Sequence, residues 1–245
     1  MHLHQTLEKL AQMRLLGMLA AFKEQLEDRH GQDLPFDERF GLIVDQEFLR
    51  RENRRLQSRL REAKVKIQAD REDVDFQTPR GLKKSFFLEL CSCTWLAQGH
   101  NLIITGPTGV GKTYLASALA RQACRQGYRS VYYHFPALIT ELSLARAEGS
   151  YPALVAKLAK RHLLVIDAWL RDPMTPEQSR LVLDLIDDRF RHRATLLTSQ
   201  LPVAAWHDQL QDATVADAIL DRIVYDSYRL ELEGGSMRKI TSPLT

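Results

Sequence analysis

The sequence predicts an α/β protein in which a small all-helical N-terminal domain precedes a five-stranded parallel sheet. Two observations carry this prediction. Short apolar runs alternate with helical stretches after residue 100, as parallel strands and their crossover helices do. A glycine-rich loop also joins the first apolar run to a helix. The predicted strands are residues 101–105, 130–135, 163–167, 194–199 and 228–233.

The composition is that of a folded protein and excludes disorder over most of the chain. Of its 245 residues, 44% are hydrophobic and 27% are charged, which is enough to build a buried core. No stretch approaches the roughly 18 apolar residues of a transmembrane helix, and the N-terminus lacks a secretory signal pattern. We therefore expect a cytoplasmic protein without a membrane partner. Its formal charge of +3 permits a nucleic-acid partner without requiring one.

The three cysteines do not describe a disulfide framework, because their number is odd in a chain of this length. Cys91 and Cys93 lie near His100, which raises the alternative of a metal site. Their spacing differs from the usual zinc pattern, however, and a fourth ligand is not evident. We expect Cys91, Cys93 and Cys124 to be buried or half-buried thiols.

Residues 1–75 are predicted to form the helical domain and residues 76–245 the sheet domain. Apolar side chains recur at helical spacing from Leu3 to Leu26 and make one stripe. Pro35 suits the first turn of a following helix, and the acidic residues after it favour a helix N-terminus. The stretch 71–80 is predicted to be a linker.

The second N-terminal helix runs into a basic stretch. Between residues 50 and 66, eight basic side chains face only two acidic ones, Glu52 and Glu62. Some of the arginines follow i, i+4 spacing, which places them on one side of a helix. The stretch is either a solvated helix face or a surface that contacts DNA phosphates. The candidate DNA-binding residues are Arg50, Arg51, Arg54, Arg55, Arg59, Arg61 and Lys64.

The strongest motif is a complete phosphate-binding loop of the form G-x-x-x-x-G-K-[ST] between a strand and a helix. Its glycines let backbone N–H groups converge on a phosphate, and the helix N-terminus adds partial positive charge. Lys112 is expected to reach the β- and γ-phosphates, and Thr113 to ligate Mg²⁺. No guanine-reading Asn-Lys-x-Asp motif occurs, which favours ATP. The predicted nucleotide-binding residues are Gly106, Pro107, Thr108, Gly109, Val110, Gly111, Lys112 and Thr113.

A second part of the site follows from the apolar strand that ends in Asp167, whose carboxylate is placed to hold Mg²⁺ through water. ATPases of this design normally carry an acid at the next position, where it activates the attacking water. Here that residue is Ala168, which cannot accept a proton. Asp172 is the nearest carboxylate that could replace it. We predict ATP binding with impaired hydrolysis.

Three polar residues late in the chain have both a structural and a functional interpretation. Gln200, at the tip of a predicted strand, could touch the γ-phosphate or the attacking water, or bond to the next turn. Arg222 is either a surface ion pair with Asp221 or Asp226, or an arginine finger inserted into a neighbouring subunit's site. Arg238 is a weaker candidate for sensing phosphate.

The phosphate-binding loop, together with the motifs at 163–167, 198–202, 216–222 and 235–239, resembles the IstB-type transposition helper ATPases. These are AAA+ proteins similar to DnaC-type helicase loaders and to bacterial replication initiators. N-terminal segments also fit, so the resemblance covers nearly the whole chain. It implies a homo-oligomer, with ATP at the subunit interfaces, that assembles on double-stranded target DNA and targets and stimulates a partner transposase.

By this resemblance, Lys112, Thr113 and Asp167 carry the ATP–Mg²⁺ site, Gln200 takes the place of the first sensor, and Arg222 that of the finger. The resemblance also implies an AAA+ P-loop core. Because little sequence follows the fifth predicted strand, we expect the helical lid of larger AAA+ proteins to be absent or reduced.

Two other functions stay open at this point. A helicase loader would hold single-stranded DNA, and a small-molecule kinase or nucleotide sensor would bind no DNA. The basic stretch contains no aromatic residue, whereas single-strand channels usually interleave aromatics with basic residues. The segment 136–160 either faces DNA, as in initiator-like relatives, or packs in the core.

Overall fold

The structure is a computed structural model that describes residues 2–27 and 34–237. The chain divides into two compact units, residues 1–58 and 59–245. The predicted domain boundary after residue 75 therefore differs from the observed division. The physical reason is that Ala69 and Val74 are buried in an apolar cluster of the second unit.

The first unit contains α1 (His2–Gln12), α2 (Leu16–Glu27) and most of α3 (Phe36–Ala63). The apolar stripe predicted from Leu3 to Leu26 is divided between two helices, since Arg14 adopts a left-handed conformation with φ of 59°. Few apolar side chains of this unit are buried. Ile43 is, whereas Phe36 and Phe48 on the same helix are 74% and 61% exposed.

A buried carboxylate joins two helices of the first unit. Glu47 on α3 accepts hydrogen bonds from the backbone N–H groups of Gly17 (2.6 Å) and Met18 (3.3 Å) at the start of α2. It also accepts one from Arg51 Nε at 2.7 Å. Burial alone would raise the pKa of Glu47, but these hydrogen bonds outweigh it and hold the pKa below its ordinary value. Glu47 thus caps the free N–H groups of α2.

The second unit is built on a parallel sheet, and the prediction of a five-stranded sheet is confirmed. The strands are β1 (Asn101–Thr105), β2 (Ser130–His134), β3 (Leu163–Asp167), β4 (Ala194–Ser199) and β5 (Ser227–Glu231). Their order in the sheet is β2-β3-β4-β1-β5. The bounds of three predicted strands agree with the structure, while β2 ends one residue earlier than predicted and β5 begins one residue earlier and ends two residues earlier.

Alternate side chains of a strand point to opposite faces of the sheet, so both faces of this sheet carry apolar residues. Helices cover both faces and bury these residues. One apolar cluster includes Ile103, Leu164 and Leu197, and the other includes Leu102 and Val165. The predicted helical segment 136–160 is two helices whose buried residues pack in the first of these clusters. The helices are α4 (Lys84–Cys91), α5 (Thr94–Ala97), α6 (Lys112–Arg125), α7 (Phe135–Ala147), α8 (Tyr151–Ala159), α9 (Pro176–Asp187) and α10 (Ala213–Val224).

The stretch 71–80 is part of the packed second unit, and its prediction as a linker is wrong. It begins with a short 3-10 helix, Arg71–Asp73, and contains the buried residues Val74 and Arg80. Just before it, Asp70 forms ion pairs with Arg121 and Arg125, both at 2.8 Å. The polar sequence that resembles a linker is held by these tertiary contacts.

All three cysteines are buried, as predicted, and the described residues contain no group of three or more histidine, cysteine, aspartate or glutamate side chains that could hold a metal ion. Burial raises the pKa of Cys91 to about 11 and that of Cys93 to about 12. No helix in the described ranges is long and apolar enough to span a bilayer.

Candidate nucleotide-binding site

The glycine-rich loop connects β1 to α6 and has a backbone that only glycine accommodates at two points. Gly106 has φ of 144° and Gly111 has φ of 102°. A Cβ atom at Gly106 would collide with the carbonyl oxygen of Leu232, and one at Gly111 with the guanidinium of Arg80. The loop is therefore a close-fitting cradle at the N-terminus of a helix, where anions bind favourably.

Lys112 is buried at the start of α6, with its ammonium folded over the loop. Its Nζ donates hydrogen bonds to the carbonyl oxygens of Gly106 (2.6 Å) and Pro107 (2.8 Å). Burial lowers the pKa of Lys112, and the nearby carboxylate of Asp167 partly opposes this shift. The ammonium lies where it can transfer from carbonyl oxygens to phosphate oxygens.

Hydroxyl groups surround the carboxylate of Asp167 at the end of β3. Thr113 Oγ1 donates to it at 3.0 and 3.2 Å, Thr198 Oγ1 at 2.5 Å and the Tyr132 phenol at 2.5 Å. Burial and the bond to Asp167 raise the pKa of Tyr132, which is thus a protonated donor. Thr113 and Asp167 therefore lie together, with the hydroxyl and carboxylate oxygens that Mg²⁺ prefers.

Thr113, Asp167 and Thr198 belong to one part of the lining of a cavity of about 500 Å³, within the usual range for small-molecule sites. Gln200, after β4, faces the loop, and its Oε1 accepts a hydrogen bond from Thr108 Oγ1 at 2.8 Å. The predicted sensor and the phosphate loop are thus in direct contact. This part of the lining consists of Thr108, Gly109, Gly111, Lys112, Thr113, Asp167, Ala168, Thr198 and Gln200.

The rest of the cavity lining was not identified from the sequence. Arg80, only 4% exposed, donates to the carbonyl oxygens of Val110 and Asp75, each at 2.8 Å. Burial lowers the pKa of Arg80. Its segment is irregular and carries no periodic signal, so only the tertiary fold reveals its place. The residues of this part of the lining are Ile67, Asp73, Asp75, Arg80, Tyr114 and Met237.

Of the two positions considered for the general base, only Ala168 faces the cavity. It has φ of 59°, and its N–H donates to Thr198 Oγ1 at 3.0 Å. Asp172 is absent from the cavity lining and forms an exposed ion pair with Arg171 at 2.7 Å. The structure does not bring Asp172 to the phosphate loop.

Arg222, on α10, lies outside the cavity lining. It forms an ion pair with Asp187 at the end of α9 and donates to the carbonyl oxygen of Ala218 at 2.8 Å. Its guanidinium also lies 6.0 Å from the ring centre of Phe190. Its ionic partner is therefore neither of the acidic sequence neighbours considered above. Arg238 lies outside the described residues.

The candidate DNA-binding residues, which lie on α3 except for Lys64 just after it, fall into three groups. Arg51 pairs with Glu47 at 2.7 Å and Arg55 with Glu52 at 2.6 Å. Arg59 belongs to the second unit and donates to a backbone carbonyl of α6 at 2.9 Å. The remaining candidates have no ion-pair partner within the described part of the chain. They are Arg50, Arg54, Arg61 and Lys64.

Comparison with known proteins places this site in a family. The family described as IstB-like ATP binding protein matches residues 8–244, nearly the whole chain. The chain belongs to this family. Membership implies nucleotide binding and supports ATPase activity, in agreement with the cradle and the Thr113–Asp167 pair.

Two relatives of this IstB-like chain match it over most of their length. A protein of Sinorhizobium fredii named as an insertion sequence ATP-binding protein (y4pL) is 41% identical over 236 residues, 96% of both chains. The corresponding protein of insertion sequence IS21 in Pseudomonas aeruginosa is 28% identical, over 96% of this chain and 89% of its own. The names of these relatives associate them with insertion sequences.

Solved structures confirm the predicted fold class. DnaI is similar with a TM-score of 0.58 and 22% identity, covering 72% of this chain and 93% of its own. AMPPCP-bound DnaA from Aquifex aeolicus has a TM-score of 0.57 and 17% identity, covering 71% and 53%. At such identities the likeness concerns the fold alone, an AAA+ P-loop core.

Proposed function

We propose that this IstB-like chain is an ATP-dependent, DNA-binding regulator of transposition. In this proposal it assembles as a homo-oligomer on double-stranded target DNA and targets and stimulates a partner transposase. The observation that carries the proposal is the cavity in which Lys112, Thr113 and Asp167 meet beside the glycine cradle. The relatives named for insertion sequences supply the biological context.

The residues present fit ATP and Mg²⁺. Lys112 would move from the loop carbonyls to the β- and γ-phosphates, and Thr113 and Asp167 would hold the metal ion. When bound, Mg²⁺ neutralises charge on the phosphates. Gln200, already bonded to Thr108, is placed to contact the γ-phosphate or a water molecule near it.

Slow hydrolysis is supported by the alanine that faces the cavity. Loss of a general base reduces rates on the order of 10²- to 10⁴-fold. Ala168 has a left-handed backbone conformation, which Asp and Asn adopt more readily than most other residues, so either side chain fits position 168. We expect Ala168→Asp to raise turnover at least about tenfold and the matched Ala168→Asn to leave it unchanged. Equal turnover in both variants would contradict the assignment.

A composite site between subunits is supported by Arg222, which lies on the surface rather than in the cavity of its own subunit. In the proposal its guanidinium leaves Asp187 and contacts the γ-phosphate of a neighbour. We expect Arg222→Ala to retain nucleotide binding and to lose ATP-driven assembly. Lys112→Ala is expected to lose both.

The DNA contact is assigned to the basic residues of α3, and the structure provides a matched pair of variants. Arg50 and Arg54 have no ion-pair partner among the described residues, whereas Arg51 and Arg55 are paired with glutamates. We expect Arg50→Ala/Arg54→Ala to weaken duplex binding more than Arg51→Ala/Arg55→Ala. The salt slope should fall by about one for each phosphate that is no longer bound by an arginine. Unchanged affinity and slope in both variants would show that α3 is only a solvated face.

The experiment that tests the whole proposal measures binding of labelled double- and single-stranded oligonucleotides with ATP and with ADP, followed by sizing of the complexes. We expect tight duplex binding that requires ATP, with multimers on the DNA. A preference for single strands would instead support a helicase loader. Binding to neither would leave a nucleotide sensor. Addition of the partner transposase to the duplex complex tests the last step, and we expect a change in ATP turnover.

A further inference from the structure

A tyrosine outside every sequence motif contacts the carboxylate of the nucleotide site. Tyr132 lies on β2, which is adjacent to β3 in the sheet, and is only 4% exposed. Its phenol donates to Oδ2 of Asp167 at 2.5 Å. The rest of its side chain packs in an apolar cluster. Asp167 thus supplies the hydrogen-bond acceptor for the buried hydroxyl of Tyr132.

The two oxygens of Asp167 are held from opposite sides of β3. Tyr132 on β2 donates to Oδ2, and Thr198 on β4 donates to Oδ1, both at 2.5 Å. Strand β3 lies between these two strands. Hydrogen bonds to an ionised acceptor are short and strong. Rotation of the carboxylate about its Cβ–Cγ bond would break both bonds at once.

We propose that Tyr132 is a positioning residue that fixes the Asp167 carboxylate in the orientation that Mg²⁺ requires. This inference rests on the proposed function, because it concerns the same metal ion. Groups that hydrogen-bond to a ligating carboxylate set its orientation, and their removal typically reduces metal affinity about 10- to 100-fold. Tyr132 acts through Asp167 and is not itself a metal ligand.

Adjacent tyrosines on β2 provide a matched pair of variants. Tyr132→Phe removes the hydroxyl that donates to Asp167. Tyr133→Phe removes one that donates to Glu141 at 3.3 Å on the other face of the strand. The measurement is the affinity for fluorescent mant-ADP as Mg²⁺ is titrated, and also in excess EDTA. We expect Tyr132→Phe to raise the half-saturating Mg²⁺ concentration about tenfold and to leave the affinity in EDTA unchanged. Tyr133→Phe should change neither.

Different outcomes separate this inference from the proposed function. An unchanged Mg²⁺ requirement in Tyr132→Phe, or an equal loss of affinity with and without Mg²⁺, would overturn the positioning role. If wild-type protein bound mant-ADP with no Mg²⁺ dependence, the proposed metal site itself would fail.

Two variants at Thr198 keep the test decisive if Tyr132→Phe folds poorly. Thr198→Val removes the hydrogen bond to Oδ1 of Asp167 and should also raise the half-saturating Mg²⁺ concentration. Thr198→Ser keeps the hydroxyl and should have the half-saturating Mg²⁺ concentration of the wild type. In an Asp167→Asn background, Tyr132→Phe should have no further effect on the Mg²⁺ requirement. An additional loss in that background would mean that Tyr132 acts by another route, contrary to the inference.

Discussion

The two units of the chain are stabilised in different ways. In the second unit, apolar clusters cover both faces of a parallel sheet. In the first unit, the described apolar core is small, and the buried carboxylate of Glu47 bonds to the start of α2. From this comparison we infer that the apolar clusters stabilise the second unit enough for it to hold the polar side chains of the candidate nucleotide site at the edge of its sheet. In the first unit a polar contact joins two helices, and Phe36 and Phe48 on α3 stay exposed.

The largest expected difference between the units concerns a leucine truncation. Leu185 on α9 is fully buried, whereas Leu49 on α3 is 54% exposed. We expect Leu185→Ala to reduce the free energy of unfolding by about 2–5 kcal/mol, because it removes buried methyl groups and leaves a cavity. Leu49→Ala should change it by less than about 0.5 kcal/mol. Chemical denaturation with hydrogen exchange resolved along the chain measures both. Similar losses would remove the contrast between the units.

The next largest effect on stability is expected at Glu47. Glu47→Gln keeps the size of the side chain but replaces one acceptor oxygen with a donor that faces backbone N–H groups. We expect a loss of about 1–3 kcal/mol, confined to the first unit. Faster hydrogen exchange at the start of α2, with unchanged exchange in β1 and β3, is the expected observation. Unchanged protection of α2 would show that apolar contacts alone hold the unit.

The same contact predicts a dependence on pH. The folded-state pKa of Glu47 is lowered, so its stabilising contribution is complete above the ordinary glutamate pKa. The contribution is lost as pH falls through the folded-state value. Protection of α2 in wild-type protein should therefore decrease in acid, whereas in Glu47→Gln this acid-induced loss should be smaller.

Local sequence was sufficient to predict the sheet and the phosphate-binding half of the site. Apolar runs between helical stretches mark the strands, and the loop motif fixes its own backbone through its glycines. Thr113 and Asp167 were expected to hold the same Mg²⁺ ion, and in the structure Thr113 Oγ1 donates to the Asp167 carboxylate although β4 lies between β3 and β1. Sequence spacing carries these relations, and the structure confirms the predicted sheet.

The remaining features depend on pairs of residues that are distant in sequence. No residue near Arg80 in the sequence indicates that its side chain lies against the phosphate loop. Tyr132 lies in an apolar strand, and its sequence neighbours do not indicate that its hydroxyl contacts Asp167. The bond between Glu47 and Gly17 joins residues of two separate helices. The first helical stripe is interrupted at Arg14, where no glycine or proline indicates a break in the helix.

A smaller effect on stability is expected at Asp187, whose role contrasts with that of Glu47. Both carboxylates bind an arginine, but Asp187 is 44% exposed and holds Arg222, the proposed finger. Asp187→Asn should therefore reduce stability by only about 0.2–1 kcal/mol. Because it releases Arg222, ATP-driven assembly should require less protein than in the wild type. The control is Asp187→Asn/Arg222→Ala, which should not assemble. Weaker assembly in the single variant would show that Asp187 orients Arg222 rather than competing for it.

The smallest effect is expected at the cysteines, which test whether the core of the second unit excludes reagents. Cys91, Cys93 and Cys124 are buried, and burial raises their pKa values, so the reactive thiolate is scarce near neutral pH. Native protein should show no alkylation by iodoacetamide at pH 8 over an hour, and denatured protein should be modified at every cysteine. Mass spectrometry of Leu185→Ala should then detect partial alkylation, because that variant opens the unit more often. Alkylation should not increase in Glu47→Gln, whose opening is confined to a unit without cysteines. An equal increase in both variants would mean that the two units unfold together, and the contrast between them would be one of composition but not of stability.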